Sequence, residues 1–373
     1  MELSERLAEL CIDPAVERAE TPPGWLYTAP ECWERGRAAL AQGWHFAGSG
    51  APLQPGELDP FTLLPDVLGE PLVLVRQGET LRCLSNVCTH RAMLVVRERA
   101  KASSGLRCGY HGRRFELDGR FRSMPEFEGA EGFPRPCDDL PALPVEALGP
   151  LAFTSLEPSR SFADWLGPLR DRLEFFPWDE LRFDAEGARA YEVGAHWALY
   201  VENYLEGLHI PFVHPALNQA LDFGGYRTEL LAAGTLQVGR GEERTPCFEL
   251  PAGHPDAGQR VAAYYAWLFP TTMLNLYPWG LSLNVVEPLG PARTRVRFLP
   301  FVARPEFCEQ GAGAALHQTE LEDEAVVEAV QRGVRSRLYR RGRYSPRHER
   351  GVHHFHRLLL DAMRGAPSLQ GAS

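Results

Sequence analysis

Two strings decide how this chain is read: "NVCTHRAML" (Asn86–Leu94) and "RCGYHGRRF" (Arg107–Phe115). The first supplies Cys88 and His90, the second Cys108 and His111, so that C-x-H is followed after seventeen residues by C-x-x-H. Each string delivers one thiolate and one imidazole. Zinc takes the same ligand types, but its common finger spacing groups the two cysteines together and the two histidines together. In a 2Fe-2S centre of mixed ligation, two cysteines hold one iron and two histidines the other. Two loops that each offer one ligand of each kind suit that arrangement.

The text around these strings predicts the layers. From Gly43 to about Leu156 it consists of short apolar runs broken by turn residues, with "QGET" and "LDGR" between β-formers reading as hairpins. This stretch is expected to be all-β. From Pro158 the character changes: "VAAYYAWLFPTTMLNLYPWGLSLNVVEP" and "RTRVRFLPFVARP" read as strands of an antiparallel sheet, and Thr319–Arg341 and Gly351–Arg364 as helices. The expected class is α+β, with an N-terminal helical segment (1–42) packing on the C-terminal domain, an all-β domain (43–157) and a mixed domain (158–373).

At 373 residues, 44% of them hydrophobic, the chain can bury two cores. A net charge of -10 without any basic run argues against nucleic acid and anionic membranes as partners. The opening "MELSERLAELCIDPAVERAE" reads as an amphipathic helix without the apolar core of a signal peptide. No apolar stretch approaches the ~18 residues of a membrane span. A soluble, cytoplasmic protein is the expectation. The eight cysteines are scattered rather than arranged as a disulfide framework.

A second constellation lies in "NYLEGLHIPFVHP" (Asn203–Pro215). Glu206 and His209 are three apart, which on a helix places them on one face. His214 follows beyond Pro211, where a bend would bring the imidazoles together. A di-iron bundle needs a second Glu-x-x-His, and a zinc protease needs His-Glu-x-x-His; the chain has neither. What remains is a non-haem Fe(II) site of two histidines and one carboxylate, or a pair of packed histidines. A one-electron cluster elsewhere in the chain favours the iron, because its electron needs a destination.

The carboxylate is sought in "TELEDEAVVEAVQRGVRSRL", whose Thr319 and Glu322 have capping-box spacing. Projected at 100° per residue, Val326, Val327, Val330 and Val334 form a stripe with Asp323 near its middle, Glu320 and Glu322 at its edges, and Glu324 and Glu328 pointing away. A lone Asp facing an apolar core is costly unless paired or metal-bound. Asp323 is therefore the expected third ligand.

In these motifs the chain resembles the large subunit of the Rieske non-haem iron oxygenases. The likeness runs from "GWHFAGSG" to the "GVHHFHRLLL" helix. It implies a Rieske domain with its 2Fe-2S cluster on Cys88, His90, Cys108 and His111, and a helix-grip catalytic domain with Fe(II) on His209, His214 and Asp323. Dioxygen is then the co-substrate, and electrons come from NAD(P)H through a separate reductase or ferredoxin. The resemblance makes Glu206 no ligand but a bridge to the Rieske histidine of a neighbouring subunit, His111, in a head-to-tail homotrimer. Asn203 is implied to support the metal ligands from behind, with a structural role at a helix start as the alternative. Most of the family has Asp where this chain has Glu206, and "NYLE" resembles the branch acting on choline, carnitine and related amines. Two further departures are Ala92 for the usual glycine and Arg113 for the usual tryptophan. Arg113 and Arg114 are expected to help dock an acidic electron donor.

The implied activity is hydroxylation or oxidative demethylation of a small molecule, with a quaternary amine as one candidate. Ring cis-dihydroxylation is the alternative, and a non-catalytic electron carrier a further one. Tyr264, Tyr265, Trp267, Tyr277 and Trp279, with Asn275 and Asn284, are candidates for substrate contact, although strand aromatics are commonly core. "HHFH" (His353–His356) reads as packing or surface.

Overall fold

The computed structural model describes residues 3–365 apart from 103 and 315. It forms two compact units: Trp44–Glu157, and the chain up to Gly43 together with the chain from Pro158 onward.

The first unit is built of short strands: β1 (His45–Phe46), β2 (Glu57–Leu63), β3 (Glu70–Gln77), β4 (Thr80–Ser85), β5 (Ala100–Lys101), β6 (Leu106–Arg107), β7 (Arg114–Phe115), β8 (Phe121–Ser123), β9 (Ala142–Leu143), β10 (Val145–Leu148) and β11 (Leu151–Thr154). They make antiparallel sheets of order β1-β11-β10, β5-β2-β3-β4-β9 and β6-β7-β8. The "QGET" hairpin forms as expected: Gln77 pairs with Thr80, and Gly78 between them adopts φ 58°, a conformation glycine takes without a Cβ penalty. Successive residues of β3 alternate between two cores, Leu72 and Leu74 in one, Val73 and Val75 in the other. The second of these cores also holds Cys88 and Cys108.

The other unit carries helices α1 (Leu3–Glu9), α2 (Trp25–Thr28), α3 (Pro30–Ala41), α4 (Phe162–Arg172), α5 (Trp197–Tyr204), α6 (Ile210–Val213), α7 (Pro215–Ala220), α8 (Leu316–Gly333) and α9 (Arg350–Gly365). Its strands are β12 (Arg182–Phe183), β13 (Arg189–Val193), β14 (Leu221–Leu231), β15 (Gly234–Gly241), β16 (Val261–Leu268), β17 (Thr272–Tyr277), β18 (Gly280–Gly290) and β19 (Arg293–Val302). They form one antiparallel sheet of order β12-β19-β18-β17-β16-β15-β14, with β13 also on β19. Helix α9 packs on β14 and β15, and α3 packs on α9. Phe355 of α9 is fully buried with its ring edge-on to Trp197 and Trp267, at 5.9 and 5.3 Å. The "HHFH" histidines diverge: His353 and His354 each place Nε2 against a backbone carbonyl, of Asp13 and Leu231, and His356 sits between Tyr27 and Tyr344. They serve packing. Among the described residues no helix is long and apolar enough to cross a membrane.

Candidate metal centres and substrate cavity

The two cysteine-histidine loops have the same backbone construction. In the first, the Cys88 N–H donates to the Met93 carbonyl at 2.9 Å and the Ala92 N–H to the Cys88 carbonyl at 2.9 Å. In the second, the Cys108 N–H donates to the Arg113 carbonyl at 2.8 Å and the Gly112 N–H to the Cys108 carbonyl at 3.2 Å. Both turns need a left-handed residue, Ala92 at φ 55° and Gly112 at φ 74°. The two loops bring His90 and His111 to 4.7 Å between ring centroids, and both thiols are buried. Burial pushes the Cys88 thiol up, and neighbouring Cys108 adds to the shift. Burial, His111 and the nearby arginines hold the His90 imidazole below its ordinary pKa, in the neutral form that binds metal. This paired set of two thiols and two imidazoles fits a mixed-ligand 2Fe-2S cluster.

Arg113 is not a surface docking residue. It is 2% exposed, and its Nη2 donates to Asp138 Oδ1 at 2.8 Å and to the Asp138 carbonyl at 3.0 Å. Phe115, Phe121 and Phe133 surround the guanidinium at 5.0 to 5.7 Å. The planar cation packs among these three rings, neutralised by Asp138. The hydroxyl of Thr89 donates to the same Asp138 carbonyl at 2.7 Å, so Asp138 braces both loops. Arg114 is exposed.

The second constellation is not one bent helix. Helix α5 ends at Tyr204, Glu206 lies in the following turn, His209 caps α6, and His214 caps both the end of α6 and the start of α7. Pro211 and Pro215 sit in the first turns of α6 and α7, where a missing N–H costs nothing. Each histidine is therefore placed at a helix boundary. Their rings approach to 5.0 Å, and one ligand atom from each of His209, His214 and Asp323 lies within 4.8 Å of the others. The Nε2 atoms face Asp323 Oδ1, at 3.6 Å for His209 and 3.0 Å for His214.

The outer nitrogens are held as well. His209 Nδ1 lies 2.5 Å from Glu206 Oε1, and His214 Nδ1 lies 2.7 Å from Glu322 Oε2. A carboxylate behind each imidazole fixes its tautomer and raises its basicity. Burial opposes a charged His214, but Asp323 and Glu322 outweigh it and raise its pKa. The amide of Asn203, in the last turn of α5, donates to Asp323 Oδ1 at 2.5 Å and steadies that carboxylate. Two imidazoles and a carboxylate oriented in this way fit a facial Fe(II) site.

Helix α8 differs from its expected placement in three respects. It begins at Leu316, so Thr319 and Glu322 form no capping box, and it stops at Gly333 rather than Arg341. Its inward face is Glu320, Val327 and Gln331, whereas Val330 is 42% exposed. The acids are busy: Glu320 Oε2 accepts the Tyr200 hydroxyl at 2.7 Å, and Glu328 Oε1 accepts the Gly194 N–H at 2.9 Å. The helix packs over a polar site, so it buries polar groups where a valine stripe was expected. Glu322 and Glu320 had been missed; the signal was that both share a helical neighbourhood with Asp323.

A cavity of about 730 Å³, open in part to solvent, borders Asp323. Tyr204, Tyr226, Tyr265 and Tyr277 line it together with Asn275, Asn284 and Gln237. Tyr265 stands 6.4 Å from Tyr226 and 5.9 Å from Tyr277 between ring centroids, and Tyr204 donates to Asn275 Oδ1 at 2.7 Å. Burial raises the pKa of all four phenols, keeping them neutral. The other aromatic candidates do not line it. Tyr264 donates to buried Asp256 at 2.8 Å, Trp267 packs on Phe355, and Trp279 stacks behind Tyr277 at 5.4 Å.

Comparison with known proteins matches both parts of the chain to described domains. Residues 43–134 match the Rieske 2Fe-2S domain, and residues 181–365 match the catalytic domain of the ring hydroxylating alpha subunit. The choline monooxygenase of Arabidopsis thaliana chloroplasts is 29% identical, over 93% of this chain and 84% of that protein. The carnitine monooxygenase oxygenase subunit of Escherichia coli is 27% identical, over 95% of this chain and 96% of that protein. A crystal structure of the quaternary ammonium Rieske monooxygenase CntA shares the fold, with TM-score 0.75 and 24% identity over 96% of this chain and 98% of that one.

Proposed function

Since the chain belongs to the Rieske non-haem iron oxygenases as a large terminal oxygenase subunit, we propose that its cavity takes a quaternary ammonium compound, which the enzyme hydroxylates or oxidatively demethylates. The observation that carries this reading is the group of four neutral tyrosines beside His209, His214 and Asp323. Aromatic faces attract an alkylated ammonium by up to about 2 kcal/mol each when desolvated. Relatives of similar identity that act on choline and on carnitine support it. The many buried hydroxyl and amide groups suit a hydrocarbon ring poorly.

Enzymes of this family use a Rieske 2Fe-2S cluster, a mononuclear iron and dioxygen, with electrons from a separate reductase or ferredoxin. In this reading Cys88, His90, Cys108 and His111 hold the cluster, and His209, His214 and Asp323 hold the iron. When bound, the two groups supply electron relay and oxygen activation. The chain's own residues do the rest. Glu206 and Glu322 orient the two imidazoles, Asn203 orients Asp323, and the tyrosines hold the substrate next to the site. Glu206 has a further role. Its oxygens accept from His209 Nδ1 and from the N–H groups of Leu208 and His209, which leaves one of its roughly four lone-pair positions for a histidine N–H. That donor is His111 of a neighbouring subunit in a head-to-tail homotrimer, working in the cytoplasm.

The test is turnover with a surrogate reductase under isotopically labelled dioxygen, on a panel of trimethylammonium compounds and aromatic hydrocarbons. Labelled or demethylated products from the ammonium compounds are expected. Labelled diols from the hydrocarbons with no consumption of any ammonium compound would overturn the reading.

A further inference from the structure

The sheet side of the cavity carries two amides with one free end each. Asn275 on β17 and Asn284 on β18 both line it, and they are only 4% and 5% exposed. In the β17–β18 register Asn275 lies opposite Ser282, and Asn284 follows Ser282 by two residues, so both asparagines project from the same face of the sheet as diagonal neighbours. Their oxygens are taken. Asn275 Oδ1 accepts the Tyr204 hydroxyl at 2.7 Å, and Asn284 Oδ1 accepts the Ser282 hydroxyl at 2.8 Å. These two hydroxyl donors fix which way round each amide sits. The Nδ2 groups are left over, and among the described residues neither donates a hydrogen bond. A buried amide donor without an acceptor is costly for folding alone. Two of them side by side on a cavity wall mark a place for an acceptor that arrives with the ligand.

The metal ligands reach the cavity from its helical side, His209 and His214 at helix boundaries and Asp323 on α8. A substrate that presents a methyl group to them has the sheet amides to hold its other end. We infer that Asn275 and Asn284 form a specificity-determining subsite that donates N–H hydrogen bonds to an acceptor oxygen at the non-reacting end of the substrate, which is therefore a trimethylammonium compound bearing a hydroxyl or a carboxylate and not a simple alkylammonium. This rests on the quaternary ammonium reading above and narrows it. A quaternary nitrogen has neither an N–H nor a lone pair, so the amides act on the oxygen end alone. Both oxygen groups satisfy them: a carboxylate takes one N–H on each oxygen, and a hydroxyl oxygen takes both on its two lone pairs. Water fills the place in the free enzyme. A ligand oxygen that reproduces its hydrogen bonds displaces it without loss, whereas a hydrocarbon end strands both donors.

The test is anaerobic calorimetric titration of the holoenzyme with two pairs of ligands matched in shape. Choline is set against propyltrimethylammonium, in which a methyl replaces the hydroxyl, and γ-butyrobetaine against isohexyltrimethylammonium, in which an isopropyl group replaces the carboxylate. In at least one pair the oxygen-bearing ligand is expected to bind about tenfold more tightly or better. The pair that shows the preference tells hydroxyl from carboxylate. Asn275→Leu and Asn284→Leu each remove one donor without changing any charge, and each is expected to reduce that preference by about fivefold or more. Equal binding within both pairs overturns the inference but leaves the quaternary ammonium reading standing. A preference that survives unchanged in both variants overturns it too, because the oxygen is then held elsewhere, as on the mononuclear iron. If none of the four ligands binds, the reading of the function falls, and this inference with it. Should a leucine variant not fold, the alanine variant at the same position decides in its place, since the ratio within a pair cancels any general loss of affinity.

Discussion

His214 Nδ1 and Glu322 Oε2 lie 2.7 Å apart, joining a helix boundary to the residue that precedes Asp323 on α8. One turn of α8 therefore presents a carboxylate to each side of the same imidazole, Glu322 behind it and Asp323 in front. Partners of this kind fix a ligand's tautomer, and their loss typically weakens metal binding by about 10- to 100-fold. Glu322→Ala is expected to lower mononuclear iron affinity within that range, measured by competition with a chelator. The visible and EPR spectra of the cluster should not change; a wild-type iron affinity would show that Glu322 holds nothing.

Glu206 makes the same kind of contact with His209, and a second role follows from its remaining lone pair. Glutamine at this position still accepts a hydrogen bond from Nδ1–H but carries no charge. Glu206→Gln should retain both metal centres, and in a single turnover from pre-reduced enzyme the cluster should reoxidise at least about tenfold more slowly. Loss of the mononuclear iron from this variant would instead make Glu206 a ligand.

What could be read ahead of the structure was local. The ligand-bearing loops declare themselves because each places its thiolate and imidazole within four residues of each other, and the "QGET" turn because glycine marks it. Asp323 was reached by helical projection, although of the valines used to place it only Val327 is buried. Which side of α8 faces inward depends on α5, which holds Tyr200 against it, and on Gly194, the residue after β13. No periodicity within α8 carries that information. Arg113 was misplaced for a similar reason: arginine is seldom buried unless paired, and its partner Asp138 is 25 residues away in sequence.

The Arg113–Asp138 pair is buried, so removing one partner strands the other. Arg113→Ala is expected to cost about 3 kcal/mol. The loss should appear as bleaching of the cluster's visible absorbance at a lower temperature. The rate of reduction by the native electron donor, per intact cluster, should not change, which separates a brace from a docking residue. Arg113→Lys should rescue only partly, because an ammonium cannot fill the planar slot among Phe115, Phe121 and Phe133.

Ala92 and Gly112 occupy equivalent turns, yet only glycine adopts φ 74° or 55° without crowding its Cβ. Ala92→Gly relieves that strain while giving the unfolded chain more freedom, so the net gain is at most about 1 kcal/mol. Gly112→Ala should destabilise by more, since it places a Cβ at φ 74°, beyond the left-handed range that Ala92 at 55° still occupies. Melting of the two variants, followed at the cluster absorbance, should move in opposite directions from wild type.

Glu320 makes stability depend on pH in a direction opposite to that of an ordinary paired acid. Burial, reinforced by Asp323 and Glu324 and only partly offset by Tyr200, raises its pKa to about 8 from the ordinary 4.5. Below about pH 4.5 the folded and unfolded states both hold the proton. As pH rises, the unfolded state releases it while the folded state keeps it, and stability falls by about 1.4 kcal/mol per unit until the folded pKa is passed. Glutamine has no proton to lose. Glu320→Gln should therefore melt higher than wild type by a margin that is small near pH 5, widens toward pH 8 and then levels off. The measurement belongs on protein freed of mononuclear iron by chelation, because a bound cation stabilises the carboxylate and shrinks the shift. A margin independent of pH would mean that Glu320 is ionised in the folded protein throughout that range.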